Sequence, residues 1–207
     1  MSVSNRGTMM FTLTNWLNRR NDPDFAAASA GFLLLTEERI ATSVRARSMV
    51  VRATYPVSGQ YLPLPCDWLE FLDVRVQGCR HPLPFASRLE PAAYDRGGAP
   101  LVYRLVDGQM EVLPVQDPMN PNPPILEIAY YARPAPMELD TDSTALLVAH
   151  PSVYLFIAAM FAAMYINDAE LLAQYNDLAA SAVLQANEWQ EQSRFSGARL
   201  NAMARAF

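Results

Sequence analysis

The sequence predicts an α+β fold: a helical bundle of long N- and C-terminal helices, an inserted small antiparallel β-domain, and an extended C-terminal tail. The chain has 207 residues, of which 51% are hydrophobic, which is enough to bury one substantial core. Most of its sixteen prolines lie between Pro56 and Pro136, whereas both ends are rich in alanine and nearly free of proline. We therefore expect N-terminal helices over 1–48, the β-domain over 49–137, C-terminal helices over 138–193 and the tail over 194–207.

Two helices are expected before the β-domain. Phe11, Trp16 and Leu17 indicate a short amphipathic helix, which ends near Asn21 because an aspartate and a proline follow. A long amphipathic helix is predicted from residue 23 to about residue 48, with apolar residues at helical spacing. These apolar residues are Phe25, Phe32, Leu33, Ile40 and Val44. Its polar face, which either faces solvent or contacts a neighbouring subunit, carries Glu37, Glu38, Arg39, Arg45 and Arg47.

The middle of the chain changes to a period of two, which is typical of β-strands. Strands are predicted around 51–55, from 61 onward, over 69–76 and over 125–131, and residues 116–124 form a proline-rich loop. The clearest hairpin spans 100–114, because Asp107-Gly108 is the pair that a type I′ turn favours. These short antiparallel strands predict a small sheet or barrel.

Helices are expected again after an acidic linker over 138–143. His150-Pro151 places a proline where the first turn of a helix tolerates one. Residues 153–166 are apolar nearly all round, which indicates burial either in the core or against a neighbouring subunit. Asn167-Asp168 is predicted to cap a further helix that runs to about Gln192, and the last residues show no strong periodicity.

The chain carries no recognisable catalytic constellation. His81 and His150 each precede a proline, and the GxSxG, GxGxxG, GxxxxGK and HExxH motifs are missing. Cys66 and Cys79 lack metal-ligand spacing, so we expect reduced thiols. We therefore predict no enzyme activity, no cofactor and no metal. The longest apolar run is shorter than the roughly 20 residues of a bilayer-spanning helix, so no membrane span is expected. The N-terminus lacks an apolar h-region with a small-residue cleavage site, so no secretion signal is expected.

The formal net charge of −5 is distributed unevenly. Residues 1–52 carry seven arginines and four acids, residues 53–192 carry six arginines and seventeen acids, and residues 193–207 carry three arginines and no acid. An acidic body disfavours direct binding of DNA or RNA, because nucleic-acid readers normally carry a dense basic surface that neutralises phosphates. The basic end is suited to docking on an acidic protein surface.

Several ordered motifs resemble those of the head-to-tail adaptor (connector) proteins of tailed phages, especially short-tailed phages. The segment from Leu64 to Glu70 resembles the family's LP-x-D-(aromatic)-L-E, and His150 to Leu155 is the best match, continued along its helix by Ala158, Ala162, Tyr165 and Asp168. The other similar positions are Pro100, Tyr103, Gly108, Val112 and Pro114 in the hairpin, Leu126, Ile128, Tyr130 and Tyr131 in the last strand, and Arg194 to Gly197 near the end.

The resemblance implies a ring of 12 copies in the neck of a virion, assembled in the host cytoplasm. The ring would join the portal protein to the tail nozzle protein and continue the channel through which DNA is ejected, without sequence-specific DNA binding. The implied portal-docking tail contains Arg194, Phe195, Arg199, Leu200, Arg205 and Phe207. Candidate subunit contacts are the five polar residues of the long helix, Glu37, Glu38, Arg39, Arg45 and Arg47, together with Tyr154, Phe161 and Tyr165.

Two other functions stay open at this point. One is a cell-wall hydrolase acting during phage entry, with Glu37, Glu38 or Asp67 as its carboxylates. The other is a monomeric binding module encoded by a prophage.

Overall fold

A computed structural model describes residues 3–86 and 98–203, with the side chains of 189–203 left undescribed. The chain divides into two compact units. A helical unit comprises Met1–Met49 and Pro134–Phe207, and a β-unit comprises Val50–Arg133. This mixture of helices and antiparallel sheets confirms the α+β class.

The N-terminal part of the helical unit contains α1 (Arg6–Trp16) and α2 (Pro23–Ser43). Asn5 starts α1 through a capping box with Thr8, and the Asp22 carboxylate accepts the first free N–H groups of α2. The prediction that this helix reaches residue 48 is wrong, because Val44 is extended and a short 3₁₀ turn (Arg47–Met49) follows. The N–H of Arg45 donates to the side-chain oxygen of Asn187 at 2.8 Å.

The C-terminal part contains α3 (Ala145–Ala149), α4 (Pro151–Tyr165) and α5 (Ala169–Met203). Proline at the first position of α4 confirms the predicted helix start. Asn167 has a φ of 57°, which separates α4 from α5, and Asp168 caps α5 by accepting the N–H of Leu171 at 3.0 Å. We predicted an extended tail from residue 194. This prediction is wrong as far as Met203, because the backbone stays helical through that residue.

The acidic linker packs against the start of α1. The carbonyls of Asp140 and Asp142 accept the N–H groups of Gly7 and Arg6 at 2.9 and 2.8 Å, and Arg6 also forms an ion pair with Asp140. Asp142 holds its own turn by accepting the N–H groups of Glu138 and Leu139. The linker thus satisfies N-terminal donors of α1 that have no partner within the helix.

Four helices share the core of the helical unit. The central side chains of α4 are small, so neighbouring helices approach it closely, and the aromatic rings of Phe25 and Phe32 fill the remaining space with their centroids 5.3 Å apart. The buried members of this core are Leu13, Leu17, Phe25, Phe32, Ala158, Ala159 and Ala162.

The β-unit contains two three-stranded antiparallel sheets in its described part. One has the order β1 (Val50–Pro56), β6 (Ile125–Ala132), β3 (Trp68–Val76). The other has the order β2 (Tyr61–Pro63), β5 (Gln109–Leu113), β4 (Val102–Val106). Asp107 and Gly108 have φ angles of 49° and 74°, which confirms the predicted hairpin turn.

Alternate residues of both sheets enter one common apolar core, as the strand period requires. Glu111 lies on the opposite face of β5, where it is 1% exposed and is held by Gln60 at 2.6 Å and by an ion pair with Arg104. Hydrogen bonding to Arg104 lowers the pKa of the Glu111 carboxyl. The common core comprises Val57, Leu62, Val74, Val76, Tyr103, Met110, Val112, Leu126, Ile128, Tyr130 and Ala132.

Candidate assembly surfaces

Five predicted contact residues lie on α2, on the 3₁₀ turn or between the two, and the structure separates them by role. Glu38, Arg39 and Arg47 are exposed. Glu37 is half-buried and its carboxylate accepts the N–H of Met137 at 3.0 Å, so it anchors the chain where it re-enters the helical unit. Glu37 therefore has a structural task within the protomer.

Arg45 also serves the protomer. Its guanidinium Nη1 donates to the carbonyls of Ala41 at 2.9 Å and Val44 at 2.7 Å, which otherwise lack partners at the end of a helix. The Asn187 amide group donates to the carbonyl of Ser43 at 3.1 Å and accepts the Arg45 N–H. Sequence periodicity could not identify Asn187, because its partners are more than 140 positions away.

Tyr154 is placed in the core of its own chain and not on a surface. Its side chain is 0% exposed and its hydroxyl lies 3.2 Å from Thr144 Oγ1. Burial raises the pKa of Tyr154 to about 12. Because α4 is apolar nearly all round, its sequence predicts burial either in the core or against a neighbouring subunit. Packing against the neighbouring helices places Tyr154 in the core.

Phe161 and Tyr165 occupy the border between core and surface. Phe161 is half-buried against the helical core. Tyr165 is 50% exposed, although its ring meets Phe32 and Phe25 edge-on with centroids 5.4 and 6.3 Å apart. Both residues leave part of an aromatic surface accessible.

The sequence pattern did not lead us to predict the exposed apolar side chains on α2 and α5. Leu34 and Leu35 on α2 are 61% and 43% exposed, and Leu184 on α5 is 59% exposed. Leu34 and Leu35 lie outside the stripe of predicted core residues on α2. This position was the sequence signal that could have identified them as exposed. Exposed apolar residues that lie side by side on a helix mark a surface that a partner can cover.

The predicted portal-docking residues lie at the end of α5 or beyond it. Arg194, Phe195, Arg199 and Leu200 are on the helical backbone, and their side chains are outside the described part of the structure. Arg205 and Phe207 lie outside the described residues.

Two motifs that carry the phage resemblance meet in the β-unit. Asp67 precedes β3, and its carboxylate accepts the hydroxyl of Tyr130 on β6 at 3.1 Å. The Asp67 carbonyl accepts the N–H of Arg133. Burial, with the bond to Asp67, raises the pKa of Tyr130 to about 12. Asp67 therefore connects the start of β3 to β6. This carboxylate, which the hydrolase alternative named as a candidate catalytic group, has a structural task.

Cys66 and Cys79 are exposed thiols that are not joined in a disulfide. Within residues 3–86 and 98–203, no cluster of three His, Cys, Asp or Glu side chains is placed to hold a metal ion. Across the same residues, no helix combines the length with the apolarity that a membrane crossing requires.

Comparison with known proteins gives one family. The family model described as SU10 adaptor protein matches residues 4–203, which is nearly the whole chain and spans both units. No curated protein matches the sequence. The chain belongs to the SU10 adaptor protein family, which confirms its resemblance to the head-to-tail adaptors of tailed phages.

Proposed function

We propose that this protein forms a ring of 12 copies that joins the portal protein to the tail nozzle protein in the virion neck. The observation that carries this proposal is the adaptor family match over 4–203, which includes nearly all of the helical unit and the whole β-unit. The task is mechanical, because the chain has to hold two other assemblies together and leave an open channel. No chemical step is part of it.

The C-terminal end is proposed as the portal-docking segment. Residues 193–207 carry three arginines and no acid, so they suit an acidic partner surface. Weak contacts of this kind become effective in a ring, because binding of one copy raises the effective concentration of the others at their sites. The proposed docking residues are Arg194, Phe195, Arg199, Leu200, Arg205 and Phe207.

Subunit contacts are proposed for the predicted residues that stay accessible in the protomer. These are Glu38, Arg39 and Arg47 on the α2 side and the exposed parts of Phe161 and Tyr165 on α4. Glu37 and Arg45 support this surface through their bonds to Met137 and to the end of α2. Tyr154 is left out because it is buried within the chain.

The acidic body supports the proposed DNA channel. Residues 53–192 carry seventeen acids against six arginines, and carboxylates that face a channel repel phosphates. DNA that must move during ejection passes more easily along a wall that does not bind its backbone.

Removal of residues 194–207 tests the docking proposal. We expect the truncated protein to fold and to lose binding to the portal protein of the same phage, because the basic segment is gone. Portal co-sedimentation and negative-stain images are the measurements. A second variant keeps the full length and replaces the three arginines of the segment by glutamine. It should also weaken binding, by about tenfold or more, which corresponds to 1.4 kcal/mol. Normal attachment of the truncated protein would contradict the proposal.

A further inference from the structure

We infer that the exposed apolar face of α2 contacts α5 of a second copy of this chain. The inference rests on the proposed ring, and it specifies which two helices meet in it. The α2 face consists of residues that are all exposed in the protomer and follow helical spacing: Ala27, Ala30, Gly31, Leu34 and Leu35.

The α2 face has the composition of a surface that becomes covered. Residues 25–36 contain no charged side chain, and the two leucines at the C-terminal end of the face are exposed. Single exposed leucines are ordinary, but an uncharged exposed face over more than two helical turns marks an interaction surface.

Gly31 lies in the middle of this face. Glycine within a helix costs about 1 kcal/mol relative to alanine. A Cβ at residue 31 would meet nothing within 4 Å, so no contact inside the protomer requires the glycine. A partner side chain that packs onto α2 does have a use for it, because the missing Cβ allows a close approach.

A complementary face lies on α5. Positions three and four apart on this helix form one exposed stripe that combines small residues, a leucine and acids. Two helices whose surface residues alternate at spacings of three and four can pack ridges into grooves at a small crossing angle. The stripe consists of Ala173, Asp177, Ala180, Leu184 and Glu188.

The charges beside the two faces are opposite. Residues 39–47, at the end of α2, contain three arginines and no acid. Residues 169–188, on α5, contain three acids and no arginine. Arg39, Arg47, Asp177 and Glu188 are all exposed, so these groups can meet across an interface. Opposite charges at the rim favour the correct pairing and register.

Pairing of α2 with α2 of another copy is disfavoured. An antiparallel pair centred on Gly31 would place Asp24 of one helix opposite Glu38 of the other, and like charges at contact distance destabilise an association. A closed ring also needs two different surfaces on each subunit, which a contact between α2 and α5 provides.

Disulfide trapping between single-cysteine variants tests the inference. In a Cys66→Ser, Cys79→Ser background, one preparation carries Leu34→Cys and another carries Leu184→Cys. They are mixed with and without the portal protein and then oxidised. We expect cross-linked dimers only in the mixture. A cross-link formed by the Leu34→Cys protein alone, or no cross-link in any mixture, would overturn the inference.

Leu139 provides the matched control, because it is 66% exposed and outside both faces. A mixture of Leu139→Cys with Leu184→Cys should give no cross-link. In subunit association measured by sedimentation, Leu34→Asp should raise the dissociation constant by about tenfold or more, whereas Leu139→Asp should leave it unchanged. Far-UV circular dichroism checks that both variants are folded.

The same samples separate the inference from the proposed function. Portal binding without the cross-link would overturn the contact between α2 and α5 while the adaptor role stands. The cross-link without any portal binding would support the contact and contradict the adaptor role.

Discussion

At the residue scale, burial determines the ionisation of Tyr154. The side chain is 0% exposed, and burial raises its pKa to about 12, against 10.0 for a free tyrosine. The negative charge of Glu37 acts in the same direction, and the bond to Thr144 opposes it. The folded chain therefore holds this tyrosine in its neutral form at a pH where the unfolded chain has already ionised it.

The alkaline stability of the protein should report this difference. Below pH 10 the contribution of Tyr154 to the free energy of unfolding is fully present. It falls from pH 10 to about pH 12, because in that window only the unfolded chain loses the Tyr154 proton. Tyr154 accounts for about 1.4 kcal/mol of the fall at pH 11, since one pKa unit is worth 1.36 kcal/mol. Tyr154→Phe should reduce the fall by this amount in urea unfolding between pH 8 and pH 11.

The composition makes this measurement interpretable. The chain has no lysine, so its tyrosines dominate the titration between pH 10 and 12. Tyr165→Phe, which removes a hydroxyl from a half-exposed ring, is the matched control for the substitution itself. An unchanged slope in Tyr154→Phe would contradict the prediction.

At the element scale, Asn187 connects the end of α2 to α5. Its side chain satisfies the carbonyl of Ser43 and the N–H of Arg45, two backbone groups that the end of the helix leaves without partners. Asn187→Ala should lower the free energy of unfolding by about 1 to 2 kcal/mol, because both groups lose a bond in a half-buried position. Thermal and urea unfolding measure the change.

Gln185 is the control for this prediction, because it is exposed on the same helix two positions away. Gln185→Ala should change the stability by less than about 0.5 kcal/mol, as surface substitutions usually do. Equal effects of the two substitutions would contradict a stabilising role of the bonds from Asn187 to the end of α2.

At the scale of the whole molecule, the β-unit has the architecture of an insertion. Val50 at the start of β1 is the register partner of Tyr131 near the end of β6, so the chain enters and leaves the unit at neighbouring points. The unit also has its own apolar core, which both sheets share. These are the properties of a segment that can fold by itself.

An isolated fragment of residues 50–133 should therefore fold. We expect a β-type circular dichroism spectrum and one cooperative unfolding transition. A fragment of residues 50–124 is the control, because it lacks β6, which lies between β1 and β3. Loss of the central strand leaves both neighbours unpaired, and this fragment should show no cooperative transition. A 50–133 fragment without cooperative unfolding would contradict the prediction.

The candidate surfaces were only partly predictable. The basic end was visible from composition, and the exposed members of the α2 polar face were visible from periodicity. Tyr154 and Arg45 were expected at subunit contacts, but the structure uses them inside the protomer, for core packing and for ending α2. Leu34 and Leu35 were missed because exposure depends on which neighbouring helices cover a face.

The sequence by itself determined the features that depend on a few neighbouring residues. Asp22-Pro23 and His150-Pro151 start helices, and Asp107-Gly108 makes the hairpin turn, because capping and backbone dihedral preferences act locally. The tertiary structure decided where α2 ends, that β6 lies between β1 and β3, and which apolar side chains are covered. These outcomes depend on contacts between residues far apart in the chain, and such contacts form only when the elements pack.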